Sequence, residues 1–236
     1  MANTSDEQPQ MGIWEHVEEL RGRLLKALIA LVVGVLAGFA ITERVIFWLA
    51  RPIGGLENLQ SIEVTENIGV FMRVSLLSGF ILAFPIIFYQ LMAFVLPGLE
   101  KNERRWLLLS IPFATVMFVA GVLFAYWVML PAAIPFLTEF LGIHTVVRLS
   151  NYVNFVTNLM FWIGLSFEAP LVMFILAKFH IVNARMLARQ WRVAIVIIAV
   201  IAAMVTPTVD PVNMGLLMLP LFILYLLSVL LAMLAR

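Results

Sequence analysis

Apolar runs long enough to cross a membrane recur along this chain, separated by polar and charged segments. A helix that crosses the hydrocarbon core of a bilayer needs about 20 mostly apolar residues. The pattern predicts six spans, numbered here in chain order: 24–41, 74–96, 106–130, 152–177, 193–205 and 212–235. We therefore expect an all-α integral membrane protein in which residues 1–236 form one membrane domain, with 1–23 as an amphipathic segment before span one.

Prolines lie within spans two, three, four and six, at Pro85, Pro112, Pro170 and Pro220. Each removes a backbone donor, and packed membrane helices tolerate the kinks that follow. Kinked helices favour a bundle with a concave face.

Span five is shorter than the other spans, since it rises only about 20 Å against a hydrocarbon core of about 30 Å. Either this helix is short, or it begins earlier and Arg192 reaches back to the interface.

Composition identifies lipid as the main solvent. Hydrophobic residues make up 63% of the 236 residues and charged residues 12%, whereas a soluble domain is about half apolar and a quarter charged. A net charge of +1 gives no reason to expect nucleic acid as a partner. The absence of cysteine excludes disulfides and thiolate metal sites, and no nucleotide-binding motif occurs, so no cofactor is expected. Met1–Gln10 is polar and acidic, unlike a signal peptide, so span one should be retained.

Basic residues are distributed unevenly between the two sides that the six spans define. One side carries eleven of the fifteen: Arg21, Arg23, Lys26, Lys101, Arg104, Arg105, Lys178, Arg185, Arg189, Arg192 and Arg236. The opposite side carries Arg44, Arg51, Arg73 and Arg148. Because positive charge marks the cytoplasmic side, both termini are predicted to be cytoplasmic. The long outer loops, 42–73 and 131–151, are expected to form a structured cap.

Glu168 lies near the middle of span four, where a carboxylate costs about 3 kcal/mol on insertion scales. Asn154, Thr157 and Asn158 fall on the same face of the predicted helix, which makes a polar stripe. Hydrogen bonds between helices would account for the asparagines. An intramembrane carboxylate is a candidate functional residue, so on these grounds alone a proton-coupled small-solute transporter would lead.

Two further polar segments flank the spans on the predicted cytoplasmic side. In the first, Glu19 precedes Arg23 by four residues, and Glu18 precedes Arg21 by three, both favourable spacings on a helix. The second contains Glu103 at the predicted start of span three, where a carboxylate suits a helix N-terminus. By themselves these segments could be a solvated collar and a set of topology determinants.

An intramembrane hydrolase is disfavoured, because every histidine lies in a loop or at a span end.

Taken together, the segments resemble TatC, the multi-span subunit of the twin-arginine protein translocase. The resemblance extends from His16 to about Tyr225. The matching motifs are His16-Val-Glu-Glu-Leu-Arg-Gly-Arg-Leu24, Phe84-Pro-Ile-Ile-Phe-Tyr-Gln90, Phe94-Val-Leu-Pro-Gly-Leu99, Glu103-Arg104-Arg105, Phe124-Ala125-Tyr126 with Pro131, Gly164-Leu-Ser-Phe-Glu-Ala-Pro170, and Thr206-Pro207 with Asp210-Pro211.

The resemblance implies a receptor, not an enzyme, that binds the paired arginines of signal peptides on folded precursor proteins. Carried over, the binding carboxylates are Glu19 and Glu103, with Glu18 at best auxiliary, and Arg21 and Arg105 orienting them. The family also implies single-span Tat subunits (TatA and TatB type) as partners, docked at spans five and six, self-association in a larger complex, and transport driven by the proton-motive force. The implied location is the prokaryotic inner membrane.

The chain departs from the family pattern at three places. Leu226 follows the tyrosine of span six where the family often has Glu, and Met214 replaces a Gln of the last outer turn. The first outer loop has Glu66-Asn67-Ile68-Gly69-Val70-Phe71 in place of Glu-Pro-Phe-Phe. Asp210 in the last outer turn matches the family, but it is also well placed to cap span six, with Pro211 as the first helical residue.

Overall fold

A computed structural model describes residues 13–95, 101–139, 145–206 and 211–235. Its α-helices, in chain order, are α1 Ile13–Phe39, α2 Thr42–Ala50, α3 Glu66–Val95, α4 Lys101–Phe124, α5 Leu130–Glu139, α6 Leu149–Ser166, α7 Ala169–Lys178, α8 Ala184–Arg189, α9 Trp191–Val205 and α10 Pro211–Leu234. A π-helical segment, Ala125–Met129, joins α4 to α5. Two short strands, β1 Leu59–Gln60 and β2 Val147–Arg148, pair in parallel. The all-α prediction is confirmed apart from this small sheet.

Within the described residues, five helical stretches are long and apolar enough to cross a membrane. They are Trp14–Phe39, Glu66–Phe94, Leu108–Thr138, Leu149–Lys178 and Pro211–Leu234. The remaining apolar helix, α9, has 15 residues and rises about 22 Å. Span five therefore begins two residues earlier than predicted and is nevertheless short.

Glycines allow α1 and α3 to pack with their backbones in contact. A Cβ placed on Gly79 of α3 would lie 2.5 Å from the Cα and the N of Val35, and one on Gly38 would lie 2.9 Å from the Ser75 carbonyl oxygen. Next to this contact the buried Thr42 hydroxyl hydrogen-bonds to the Ser75 hydroxyl over 2.7 Å. Small residues at such crossings bring backbones close enough for dispersion to hold membrane helices together.

The core lies among α3, α4 and α6. Phe84 of α3 stacks on Phe118 of α4 with 4.0 Å between ring centroids, and Phe118 is fully buried. On the side of α4 that faces α6, Gly121 and Gly164 meet closely, since a Cβ on Gly121 would lie 2.9 Å from the Gly164 Cα. These contacts fix α6, which carries the polar stripe, against the other two helices.

Two tyrosines attach α2 to the helices beneath it. Tyr126, in the π-helical segment, donates its hydroxyl to the Trp48 carbonyl over 2.8 Å and stacks on the Trp48 ring. Tyr152 of α6 donates to the Leu49 carbonyl over 2.7 Å. With β1, β2 and α5, α2 forms the cap, our name for residues 42–66, 130–139 and 145–148. The prediction that both long loops are structured is thus confirmed for the described residues.

Several helices extend beyond the predicted spans. The amphipathic segment is not separate from span one, because α1 runs without a break from Ile13. Span two begins at Glu66, eight residues before the predicted 74, since Glu66 anchors the first turn through hydrogen bonds described below. Helical structure after span three extends to Glu139, because Leu130, Ala133 and Ile134 are buried in the cap and favour continued helix.

Span four is two helices, not one. The α-helix ends at Ser166 and resumes at Ala169, so Phe167 and Glu168 lie at a break. Pro170 lacks the N–H that would pair with the Ser166 carbonyl, which accounts for the interruption. By contrast, Pro85, Pro112 and Pro220 lie inside helices that continue past them.

Candidate functional site

The start of α1, the end of α3 and the start of α4 meet at one end of the bundle. The His16 ring stacks on the Phe94 ring with 4.3 Å between centroids, which joins α1 to α3. The chain leaves α3 at Val95 and enters α4 at Lys101, too short a connection to reach the opposite end. We call residues 13–24, 88–95 and 101–106 the rim.

Glu19 at the rim carries the ion pair that its spacing from Arg23 predicted. Arg23 donates from Nε and from Nη2 to the same oxygen of Glu19, Oε1, over 2.9 Å and 2.5 Å. The Glu19 side chain is 20% exposed and that of Arg23 is 25% exposed. The other carboxylate oxygen, Oε2, is buried and has no hydrogen-bond partner among the described residues.

The remaining predicted rim residues are brought to the same end but not into described contacts with Glu19. Glu18, Arg21 and Arg105 are exposed. Glu103 lies in the first turn of α4, and its side chain is outside the described part of the structure. The described partner of Glu19 is Arg23, because a helix places residues four apart on one face, and the orienting roles of Arg21 and Arg105 stay predictions.

The asparagines of span four are bonded to a residue that the sequence analysis did not single out. Arg73 of α3 donates to Oδ1 of Asn154 over 2.5 Å and to Oδ1 of Asn158 over 3.3 Å. Thr157 is buried and donates to the Val153 carbonyl within α6. The stripe is therefore an interhelical hydrogen-bond site near the cap.

Glu168 lies at the break between α6 and α7, some distance along the stripe from the asparagines. Its side chain is buried, and neither carboxylate oxygen has a hydrogen-bond partner among the described residues. Its backbone carbonyl accepts from Val172 N, so it begins α7. Buried polar groups are nearly always bonded, which makes an unbonded carboxyl a candidate for function.

The cap contains a second buried carboxylate whose bonds are extensive. Glu66 accepts from the Ile62 and Glu63 amides at Oε2, over 3.0 Å and 3.3 Å, and from the Ser150 amide at Oε1, over 2.7 Å. Arg148 also donates to Glu66 and pairs with Glu63 over 2.7 Å. The hydrogen bonds that Arg148 donates raise its pKa, and the bond to Glu63 has a larger effect than the bond to Glu66.

Sequence reasoning missed Glu66, Arg73 and Arg148 as interacting residues. A signal was present, since Arg73 and Arg148 are two of only four basic residues on the predicted outer side. Asp210 lies outside the described residues, although α10 begins at Pro211 as predicted. Of the residues that depart from the family pattern, Leu226 is half exposed and Met214 packs against the core.

Comparison with known proteins decides the family. A family model described as Sec-independent protein translocase protein (TatC) matches residues 15–220. The chain belongs to the TatC family. TatC proteins are non-enzymatic components of a protein translocase, so the chain is a multi-pass membrane protein of protein transport with Tat partners. The alternative of a proton-coupled transporter receives no support.

Individual TatC relatives match over nearly the whole chain. The TatC of Carboxydothermus hydrogenoformans is 34% identical, and the match covers 96% of this chain and 94% of that protein. The TatC of Deinococcus radiodurans is 36% identical over 95% of this chain and 86% of that protein. A crystal structure of the twin-arginine translocase receptor TatC superposes with a TM-score of 0.83 at 33% identity, covering 94% of this chain and 99% of that one.

Proposed function

We propose that this TatC protein is the receptor of its translocase and binds the paired arginines of signal peptides at the rim, through Glu19 and Glu103. The observation that carries the proposal is the half-buried carboxylate of Glu19, which keeps one oxygen without a described partner at the end where α4 begins. The solved structure similar to this chain is described as a twin-arginine translocase receptor.

The chemistry of the two groups suits that ligand. A guanidinium presents parallel N–H donors that match the two oxygens of a carboxylate, whereas a lysine ammonium is a point charge without that geometry. Two carboxylates on different helices can each bind one of two adjacent arginines. Because Glu19 is fixed by its helix and by the His16–Phe94 stack, little ordering is needed on binding.

The same proposal gives the orientation of the protein in the membrane and the energy source for transport. The rim faces the cytoplasm of a prokaryotic cell, both termini lie on that side of the inner membrane, and transport is driven by the proton-motive force. Eleven of the fifteen basic residues on the rim side support this orientation. Glu168 and the stripe then lie deeper in the membrane, along the path that the apolar part of a signal peptide would follow.

Single-span subunits of the TatA and TatB type are proposed to dock beside α9 and α10. A mainly apolar cavity of about 440 Å³ lies between α6, α9 and α10, with Tyr225 and Ser228 among its lining residues. A short helix such as α9 favours a partner that shares the cost of its mismatch with the bilayer. Cysteine pairs between α9 and a partner helix should crosslink in membranes, whereas pairs on the lipid face of α1 should not.

Peptide binding to the purified protein tests the receptor proposal. Fluorescence anisotropy would compare a labelled signal peptide carrying Arg-Arg with one carrying Lys-Lys. Glu19→Gln and Glu103→Gln should each weaken binding of the Arg-Arg peptide about 10- to 100-fold, the value of a charge-assisted pair. Glu15→Gln, an exposed carboxylate one turn earlier, is the matched control. Equal binding of both peptides, unaffected by either substitution, would contradict the proposal.

A further inference from the structure

The ion pair at Glu19 has an unusual form. In a bidentate pair the two N–H groups of arginine meet both carboxylate oxygens. Here Nε and Nη2 of Arg23 converge on Oε1 alone, which leaves Oε2 buried and without a described partner. The pair is therefore geometrically incomplete on the carboxylate side, and a second guanidinium could complete it.

A second buried acceptor without a described partner lies on the α3 side of the rim. Gln90 of α3 has a buried Oε1 with no hydrogen-bond partner among the described residues. The stack of His16 on Phe94 and the contact of Gly38 with Ser75 set the antiparallel register of the two helices. In that register, the heights of Glu19 and Gln90 along the helix axes differ by about one turn or less.

Glu19 and Gln90 also lie on the sides of α1 and α3 that face each other. Glu19 follows His16 by three residues and Gln90 precedes Phe94 by four, and such spacings place side chains on one helix face. Because His16 and Phe94 face each other in their stack, Glu19 and Gln90 lie on the facing sides of α1 and α3. Among the described side chains of the rim, the buried Glu19 Oε2 and Gln90 Oε1 are acceptors without a described partner, and the guanidinium of Arg23 is paired with Glu19.

We propose that Arg23 is an internal competitor for the carboxylate that binds the ligand's arginine. In the free protein Arg23 neutralises Glu19 and fixes its orientation. When a ligand guanidinium arrives, it takes the bidentate position across both oxygens of Glu19, with Gln90 Oε1 as a further acceptor, and Arg23 is displaced towards solvent. This inference rests on the proposed receptor function. It adds that Arg23 lowers the affinity of the site for a signal peptide.

The direction in which Arg23→Gln changes the affinity for the Arg-Arg peptide distinguishes a competing role of Arg23 from a supporting one. If Arg23 competes, Arg23→Gln should tighten binding of the Arg-Arg peptide about 2- to 5-fold, because a partly exposed ion pair no longer has to be broken. If Arg23 only positions Glu19, the same substitution should weaken binding. Lys26→Gln removes an equal charge from an exposed residue three positions away in α1, so it measures the general electrostatic effect.

A double-mutant cycle identifies the residue through which Arg23 acts. The tightening caused by Arg23→Gln should disappear in a Glu19→Gln background, since no carboxylate is then left to compete for. Weaker or unchanged binding in Arg23→Gln, or tightening equal to that of Lys26→Gln, would overturn the competitor role. Thermal unfolding in detergent confirms that each variant is folded.

The same measurements distinguish the two proposals. If Glu19→Gln weakens binding but Arg23→Gln does not tighten it, the receptor site stands and the competitor role fails. If Glu19→Gln has no effect on binding of the Arg-Arg peptide, both fail, because the contested carboxylate is then not the one that binds arginine.

Discussion

The contact between α1 and α3 offers a sharp test of how this bundle is held together. Gly79 has no space for a side chain, since an added Cβ would lie 2.5 Å from both the Cα and the N of Val35. Ordinary Cβ contacts are 3.4–4 Å, so Gly79→Ala requires the two backbones to separate by about 1 Å. Backbone cannot rotate out of the way as a flexible side chain can, and such overpacking costs about 1–3 kcal/mol.

Gly69→Ala supplies the matched control in the same helix. A Cβ on Gly69 meets nothing within 4 Å, and alanine has a higher helix propensity by about 0.5–1 kcal/mol. Gly69→Ala should therefore leave the unfolding temperature unchanged or raise it slightly. Gly79→Ala should lower it by about 2–10 °C, from the usual relation between free energy and midpoint in chains of this size. Thermal unfolding of the detergent-purified protein measures both.

The displacement should also reach the rim. Because α1 packs mainly against α3, moving it by about 1 Å at Gly79 shifts Glu19 relative to the end of α3. We expect Gly79→Ala to weaken binding of an Arg-Arg signal peptide at a temperature where the protein remains folded. Equal unfolding midpoints for Gly79→Ala and Gly69→Ala would refute the view that backbone contact limits this helix pair.

Three further substitutions test the cap and the mid-membrane carboxylate, each by thermal unfolding. Glu66→Gln should destabilise by about 1–2 kcal/mol, because Arg148 then loses one of its two charged partners in a partly buried network, and an unchanged midpoint would refute this. Tyr152→Phe should cost about 1 kcal/mol through the loss of one buried hydrogen bond, whereas a larger loss would indicate additional roles for the hydroxyl. Glu168→Leu should stabilise the fold by about 1–3 kcal/mol while impairing export, since it removes a buried polar group without described partners. Destabilisation by Glu168→Leu would show that the carboxyl has a structural partner.

The sequence predicted the positions and order of the apolar helices, five of them long enough to cross a membrane among the described residues, because apolar length marks a membrane helix. It also predicted the Glu19–Arg23 pair, which depends only on spacing within one helix. It failed at Glu66 and Pro131, where polar or helix-breaking residues suggested loops. The helices continue there because the cap buries and bonds these segments, and that information is not local.

The sequence did not predict the contacts between residues that are distant along the chain. Glu66 meets Arg148 from 82 residues away, and Arg73 meets Asn154 from 81 residues away. A helical periodicity places Asn154 on a polar face but does not name the residue opposite. Only the packing of α3 against α6 brings the guanidinium of Arg73 to that face.

Glu66 and Glu168, the buried carboxylates among the described residues, differ in their hydrogen bonds, and that difference separates their roles. Glu66 has acceptor bonds to three backbone amides and a guanidinium, so its burial is compensated locally and its loss should destabilise the cap. Glu168 has no described bond at either oxygen. A residue that lowers stability at a buried position is retained for a reason other than folding. Glu168→Gln keeps the size and hydrogen-bonding capacity of the side chain but cannot ionise. Full export by Glu168→Gln would therefore assign Glu168 a neutral hydrogen-bonding role, and complete loss would assign it a role that needs the charge or the proton.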